Sequence, residues 1–229
     1  MSLGRLRGRV EGIISAHPIG IEIYFLIRTS EGLSIKKIDM NAEDLAELLE
    51  EFKNSIAGSL SDESLSLLEL SAADERRNAI YRYDLVDIPE QLRQLNVVLE
   101  NDDFSEFNSS HDSLKSLEGM IIMLGSGRDK LAVYKQHYPV SLLSTSFSFV
   151  RLRRESRFEK FEGDILRINP KFEFMRVDDQ LYVLDLKILE KFFGFRDAIS
   201  RAAMQRMDSL RRADIVDNIA LIETRRGAT

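Results

Sequence analysis

Gly119-Met120-Ile121-Ile122-Met123-Leu124, the turn Gly125-Ser126-Gly127 and the run Lys130-Leu131-Ala132-Val133-Tyr134-Lys135-Gln136-His137 decide the fold class. Both runs are apolar, short and bounded by turn residues, so they read as strands rather than helices. The pattern repeats downstream at 145–153, 164–169, 171–177 and 180–185, with brief turns such as Asn169-Pro170 and Asp178-Asp179 between some of them. Spacing of this kind leaves no room for crossover helices and favours an antiparallel, twisted sheet over βαβ units.

Upstream of this stretch the pattern changes. Ile21-Glu22-Ile23-Tyr24-Phe25-Leu26-Ile27-Arg28 is rich in β-branched and aromatic residues, and Ser30-Glu31-Gly32 turns it into a second strand near 33–39. Asn41 is a good N-cap with Asp44 three residues on, and Leu45, Leu48, Leu49 and Phe52 follow at helical spacing. A helix is expected over 42–57, with Gly58 placed to stop it. Strands are expected at 64–70 and 79–84, a helix opened by Pro89 over 89–99, and a short helix near 111–118. Helix returns near 187–193, Gly194 breaks it, and 196–224 reads as one long helix or two. The expected fold is α+β: an N-terminal hairpin and helix, then a C-terminal antiparallel twisted sheet with terminal helices. A division into an acidic part, 1–118, and a basic, strand-rich part, 119–229, is expected, unless the two form one continuous domain.

Composition narrows the function. The chain has 229 residues, 44% hydrophobic and 31% charged, enough to bury a core. It has no cysteine, which excludes disulfides, thiolate zinc sites, iron–sulfur clusters and a cysteine nucleophile. No signal-peptide pattern follows Met1, and apolar runs such as Ile121–Leu124 fall far short of the roughly 18–20 residues of a membrane span. A cytoplasmic, reducing location is expected. The net charge of −6 hides an asymmetry. Residues 1–127 hold 12 Lys and Arg against 23 Asp and Glu, whereas residues 128–229 hold 20 against 15. A basic half attracts phosphate or an acidic protein surface, and an acidic half repels phosphate.

Most candidate chemistry is weak. His17, His111 and His137 have no ligand spacing, so no metal site is expected from them. Gly125-Ser126-Gly127-Arg128 resembles a phosphate cradle, but both flanks read as strands and no helix N-terminus follows, which makes it a β-turn. Asp185-Leu186-Lys187, with Asp164 or Asp179 as second acid, could serve a metal-dependent nuclease. The same acid-x-Lys triplet recurs at Glu51-Phe52-Lys53 on an expected helix, as chance allows. No Ser/His/Asp arrangement or nucleophile elbow is present, and no cofactor is called for.

The strongest signal is basic. Arg151, Arg153, Arg154 and Arg157 crowd one strand and its turn, with Lys160 just after. Alternation puts Arg151 and Arg153 on the face opposite Leu152. A second group, Arg201, Arg206, Arg211 and Arg212, lies on the expected terminal helix. The guanidinium fork suits phosphate because it can hold two oxygens at once. The competing reading pairs these arginines with Glu155, Glu159, Asp208 and Asp214 as a solvated network.

Four strings carry a family resemblance: Tyr83-Asp84-Leu85-Val86-Asp87-Ile88-Pro89, Leu131-Ala132-Val133-Tyr134-Lys135-Gln136-His137-Tyr138-Pro139-Val140, Val177-Asp178-Asp179-Gln180-Leu181-Tyr182-Val183-Leu184-Asp185, and Leu189-Glu190-Lys191-Phe192-Phe193-Gly194-Phe195. The region from about 80 to 197 resembles the KwaB family, the soluble component of the bacterial Kiwa anti-phage defence system. The N-terminal 75 residues carry no matching motif. The resemblance implies a non-enzymatic DNA-binding effector that forms homodimers. It implies an integral membrane partner, KwaA, which would recruit the protein to the inner membrane. The chain is shorter than the family leads one to expect, which leaves room for a further C-terminal part. It supplies no site residues, so the arginine assignments rest on charge alone. The expected function is duplex DNA binding largely without sequence specificity. A metal-dependent nuclease and a protein-interaction module that does not bind DNA stay open.

Overall fold

A computed structural model describes residues 2–72, 78–138 and 168–195, the backbone of four short strands between 142 and 166, and the single residues Ser200 and Met204. An eight-stranded sheet organises the molecule. Its strands are β1 (Gly20–Thr29), β2 (Gly32–Lys37), β3 (Ser66–Glu69), β4 (Ala79–Arg82), β5 (Leu117–Ser126), β6 (Asp129–Gln136), β11 (Phe174–Val177) and β12 (Gln180–Val183). Between the last four lie β7 (Leu142–Ser144), β8 (Arg151–Arg154), β9 (Arg157–Lys160) and β10 (Asp164–Leu166), which form two separate two-stranded ladders, β7 with β10 and β8 with β9.

The order across the sheet is β2-β1-β5-β6-β11-β12-β4-β3. All neighbours are antiparallel except β3 and β4, which run parallel. The first four strands lie at the two edges and flank the later ones: β1 pairs with β5, and β4 with β12. Two hairpin turns need a positive φ. Gly127 takes 56° between β5 and β6, and Asp178, a residue type that tolerates this region, takes 50° between β11 and β12.

Period-2 alternation sorts the strand side chains onto two faces. Ile21, Ile23, Phe25 and Ile27 of β1, Met120, Ile122 and Leu124 of β5, and Leu131 and Val133 of β6 face one core. Helix α1 (Leu3–Ile14) covers it with Leu6, Val10, Ile13 and Ile14, and helix α2 (Ala42–Ser61) with Phe52, Ile56 and Leu60. Tyr24, Leu26, Ile121, Met123, Ala132, Tyr134 and Phe174 face the other core. There helix α3 (Glu90–Glu100) supplies Leu92, Leu95 and Val98, and helix α4 (Leu186–Phe193) supplies Leu189. Burial on both faces explains why the central strands read as unbroken apolar runs. Each such side chain contributes about 1.5–3 kcal/mol when fully buried.

The fold is α+β, as expected, with differences in detail. Helix α1 was not expected, because Gly4, Gly8, Gly12 and three arginines obscure its apolar stripe. Gly58 does not end α2: the helix runs on to Ser61 and buries Leu60, while Arg7 of α1 donates to the Leu60 and Asp62 carbonyls at 2.6 and 2.5 Å. Those contacts satisfy carbonyls that a helix end leaves open and outweigh the roughly 1 kcal/mol cost of an interior glycine. The helix expected near 111–118 is a single 3₁₀ turn, Leu114–Ser116, because Leu117 already pairs with Ile27 in the sheet. Pro89 is the N-cap of α3, one residue before the helix begins. The terminal helix over 196–224 lies outside the described residues apart from Ser200 and Met204, which are helical.

Candidate functional site

Register, rather than proximity in sequence, defines the basic cluster. Strands β8 and β9 pair antiparallel with Arg151 across from Lys160, Leu152 from Glu159, Arg153 from Phe158 and Arg154 from Arg157. The single basic strand and turn expected from sequence is therefore a hairpin. All five of Arg151, Arg153, Arg154, Arg157 and Lys160 belong to one two-stranded ladder, which brings cation opposite cation at two of its four positions. Directly opposed like charges in a ladder are destabilising. Arg201, Arg206, Arg211 and Arg212 lie outside the described residues.

A second polar constellation sits where β6 leaves the sheet. Lys135, Gln136, His137 and Glu173 are the buried polar and charged residues of the molecule's described part, each 7–9% exposed. Glu173 precedes β11. Its backbone N–H donates to the Tyr134 carbonyl at 3.0 Å, and its carboxylate accepts the Gln136 backbone N–H at 2.7 Å. Burial pushes the Glu173 pKa up to about 7, against the lowering effect of that hydrogen bond and of Lys135. Lys135 donates to the Asn169 side-chain oxygen at 2.6 Å and to the Lys171 carbonyl at 2.9 Å, and burial holds its pKa below the ordinary lysine value. The Gln136 amide donates to the Glu118 carbonyl at 2.9 Å and accepts from the Tyr134 hydroxyl at 3.1 Å. Gly119 makes room for this network, since a Cβ there would run into the Tyr134 ring.

His137 continues β6, donating its backbone N–H to the Glu118 carbonyl at 3.1 Å. Its Nδ1 is buried without a hydrogen-bond partner among the described residues, and burial lowers its pKa. It lines a groove of about 470 Å³ together with Gln91 of α3, Lys115 of the 3₁₀ turn, Glu118 and Gln136 of the sheet, and Phe192 and Phe193 of α4. Glu118 is neutralised within the wall: Arg28 donates to it at 2.5 and 2.9 Å, and Gln91 at 3.1 Å.

Asp185 has a structural occupation. It is the N-cap of α4 and accepts the backbone N–H groups of Lys187 and Ile188 at 2.9 and 3.2 Å. Phe52, the middle of the other acid-x-Lys triplet, is fully buried. Among the described residues no group of three or more His, Cys, Asp or Glu is arranged to hold a metal ion. No helix among them is long and apolar enough to cross a membrane. Gly127-Arg128 form the two-residue β5–β6 hairpin turn, with Gly125 and Ser126 still paired in β5, so the string is a turn between strands as its flanks suggested.

Sequence reading picked out the cations of β8 and β9 and set His137 aside with the other two histidines. It missed Glu173, Gln91, Lys115 and Phe192, which only tertiary packing assembles. The one available signal was a carboxylate, Glu173, set within the apolar run Phe172-Glu173-Phe174-Met175.

Comparison with known proteins bears on the same region. A family profile described as "Kiwa protein KwaB-like" matches residues 114–227, which include β5, β6, the basic hairpin and α4. Kiwa protein KwaB of Escherichia coli O55:H7 (strain RM12579 / EPEC) is 23% identical over 232 residues, spanning 97% of this chain and 71% of that protein. No solved structure matches the chain. The chain belongs to the KwaB-like family.

Proposed function

We propose that this chain serves Kiwa-type anti-phage defence by binding duplex DNA through the β8–β9 hairpin, largely without reading base sequence. The defence role follows from the family. The observation that supports DNA as ligand is the hairpin register, which sets Arg151 opposite Lys160 and Arg154 opposite Arg157. Three residue rises of about 3.4 Å make β8 about 10 Å long, a length of duplex that carries roughly six phosphate charges. Arginines spaced along such a ribbon can bind two phosphate oxygens each, and phosphate contacts carry no base information. The terminal-helix group, Arg201, Arg206, Arg211 and Arg212, would extend the same contact.

The proposal includes a homodimer and recruitment to the inner membrane by an integral partner of the KwaA type. Helix α2 offers an electronegative face suited to a basic partner surface. Glu43, Asp44, Glu47, Glu50 and Glu51 are all exposed on it, with Lys53 as the one cation of the helix.

A mobility-shift assay over a salt series, with and without Mg²⁺, tests the reading. Four to five phosphate contacts predict an affinity loss of roughly 10²–10³-fold between 50 and 200 mM salt. A flat salt response would overturn phosphate-dominated binding. No retention at low salt would favour the protein-interaction module. Mg²⁺-dependent plasmid cleavage abolished by Asp185→Ala would install the nuclease instead.

A further inference from the structure

The groove bordered by α3, the 3₁₀ turn and α4 is unused by the hairpin reading, and its wall chemistry is specific. Phe192 is one of only three large hydrophobic residues exposed among the described residues, at 37%. Its ring meets the Tyr138 ring edge-on at 5.5 Å, and the Lys191 ammonium lies 5.1 Å from its centroid. An exposed aromatic plane already paired with a cation is the surface on which a nucleobase stacks. His137, 7% exposed, lines the groove, and its buried Nδ1 finds no partner among the described residues. A neutral imidazole carries one donor and one acceptor, as does the edge of a base, and the Gln91 amide lies in the same wall. Lys115 is exposed at the rim and makes no ion pair among the described residues, whereas Glu118 beside it is neutralised by Arg28. At about 470 Å³ the space suits a ligand of mononucleotide size.

We propose that this groove holds one unpaired nucleotide, its base stacked on Phe192 with its polar edge at Gln91 and His137, and its phosphate at Lys115. The site is distinct from the β8–β9 hairpin and stands or falls separately from duplex binding. The shared chemistry, an aromatic base with a phosphate, can come from a free nucleotide or from an unpaired position in a DNA strand.

Fluorescence of 2-aminopurine reports stacking, and the absence of tryptophan from the chain keeps the protein background low. The full chain is titrated into 2-aminopurine riboside, its 5′-monophosphate, a single-stranded oligonucleotide carrying one 2-aminopurine, and the same oligonucleotide in a duplex. The site predicts an emission change with the monophosphate, the single strand or both, and none with the duplex. A response to the monophosphate assigns a free nucleotide, and a response to the single strand alone assigns a strand position. Phe192→Ala should weaken that response about tenfold or more, and Phe192→Tyr should retain it. Lys115→Ala should weaken the monophosphate and leave the uncharged riboside unchanged. Silence with both monophosphate and single strand, or a response that Phe192→Ala leaves intact, would overturn the site. Phe192 is exposed, so its substitution leaves the core unaltered, and an unchanged melting temperature verifies this. Duplex retention in the salt series is read separately, so loss of one activity does not mimic loss of the other.

Discussion

The seam around Glu173 meets its charges with side-chain and backbone partners, whereas the β8–β9 hairpin is known by its backbone register, which sets cation across from cation at two positions. In the seam each strong charge meets a counter-group supplied by the fold: Gln136 N–H on Glu173, Asn169 and Lys171 oxygens on Lys135, Arg28 on Glu118. The cost of burial is visible as a carboxyl that titrates near neutrality. In the hairpin the backbone register matches cation with cation at two positions. Buried charge is compensated locally because desolvation is too costly otherwise. On the DNA-binding reading, phosphate is the anion these cations would take.

The largest expected effect breaks the hairpin side of this contrast. The combined substitutions Arg151→Glu, Arg153→Glu and Arg154→Glu should lower duplex affinity about 100-fold or more at 50 mM salt, equally for all sequences. The mobility-shift assay reads this, with a melting curve as the control for folding. Unchanged affinity would move the contact to the terminal arginines.

A second effect sharpens the seam side. The folded Glu173 pKa lies above its ordinary value of 4.5, at about 7, so the folded state holds this proton more tightly than the unfolded chain. Its contribution is fully present below about pH 4.5 and is lost as pH rises towards 7. Glu173→Gln removes that loss and keeps an oxygen for the Gln136 N–H. The variant should gain roughly 3 kcal/mol over the parent at pH 8 and little at pH 4. Urea denaturation at the two pH values measures the difference, and a pH-independent gap would mean that Glu173 is ionised throughout. His137 acts in the opposite direction. Its lowered pKa costs stability as pH falls below the ordinary 6.5, so Glu173→Gln should expose an acid limb that the parent masks.

The smallest effect concerns the helix that anchors the first core. A Cβ at Gly4, Gly8 or Gly12 would meet nothing within 4 Å. Gly8→Ala should therefore raise stability by about 0.5–1 kcal/mol, read as a higher melting temperature. A loss instead would show that a further surface packs closely on this face of α1.

Much of the fold was legible because each element carries its own period. Ile21–Arg28, the Asn41 cap with its leucines, Gly119–Leu124 and Leu131–Tyr134 announced strand, helix, strand and strand within a few residues of the observed limits. Helix α1 was hidden because glycine at every fourth position argues against helix locally, and only contact with the sheet makes Leu6, Val10, Ile13 and Ile14 decisive. The same override carried α2 through Gly58. The cationic residues of the hairpin were readable as a cluster, but their pairing was not, since register depends on where two strands meet.

Local chemistry was thus written into residue order: alternation, capping, turns, a charge gradient between halves, and the strings that marked the family. Strand order, the seam and the groove were not. Gln136, Gln91, Lys115 and Phe192 lie on different elements and meet in the groove because burial of the second sheet face brings α3 and α4 against the ends of β5 and β6. Glu173 reaches Gln136 from the edge of β11. Hydrophobic burial is non-directional, so which polar groups it traps together follows from packing and from no short window of the chain.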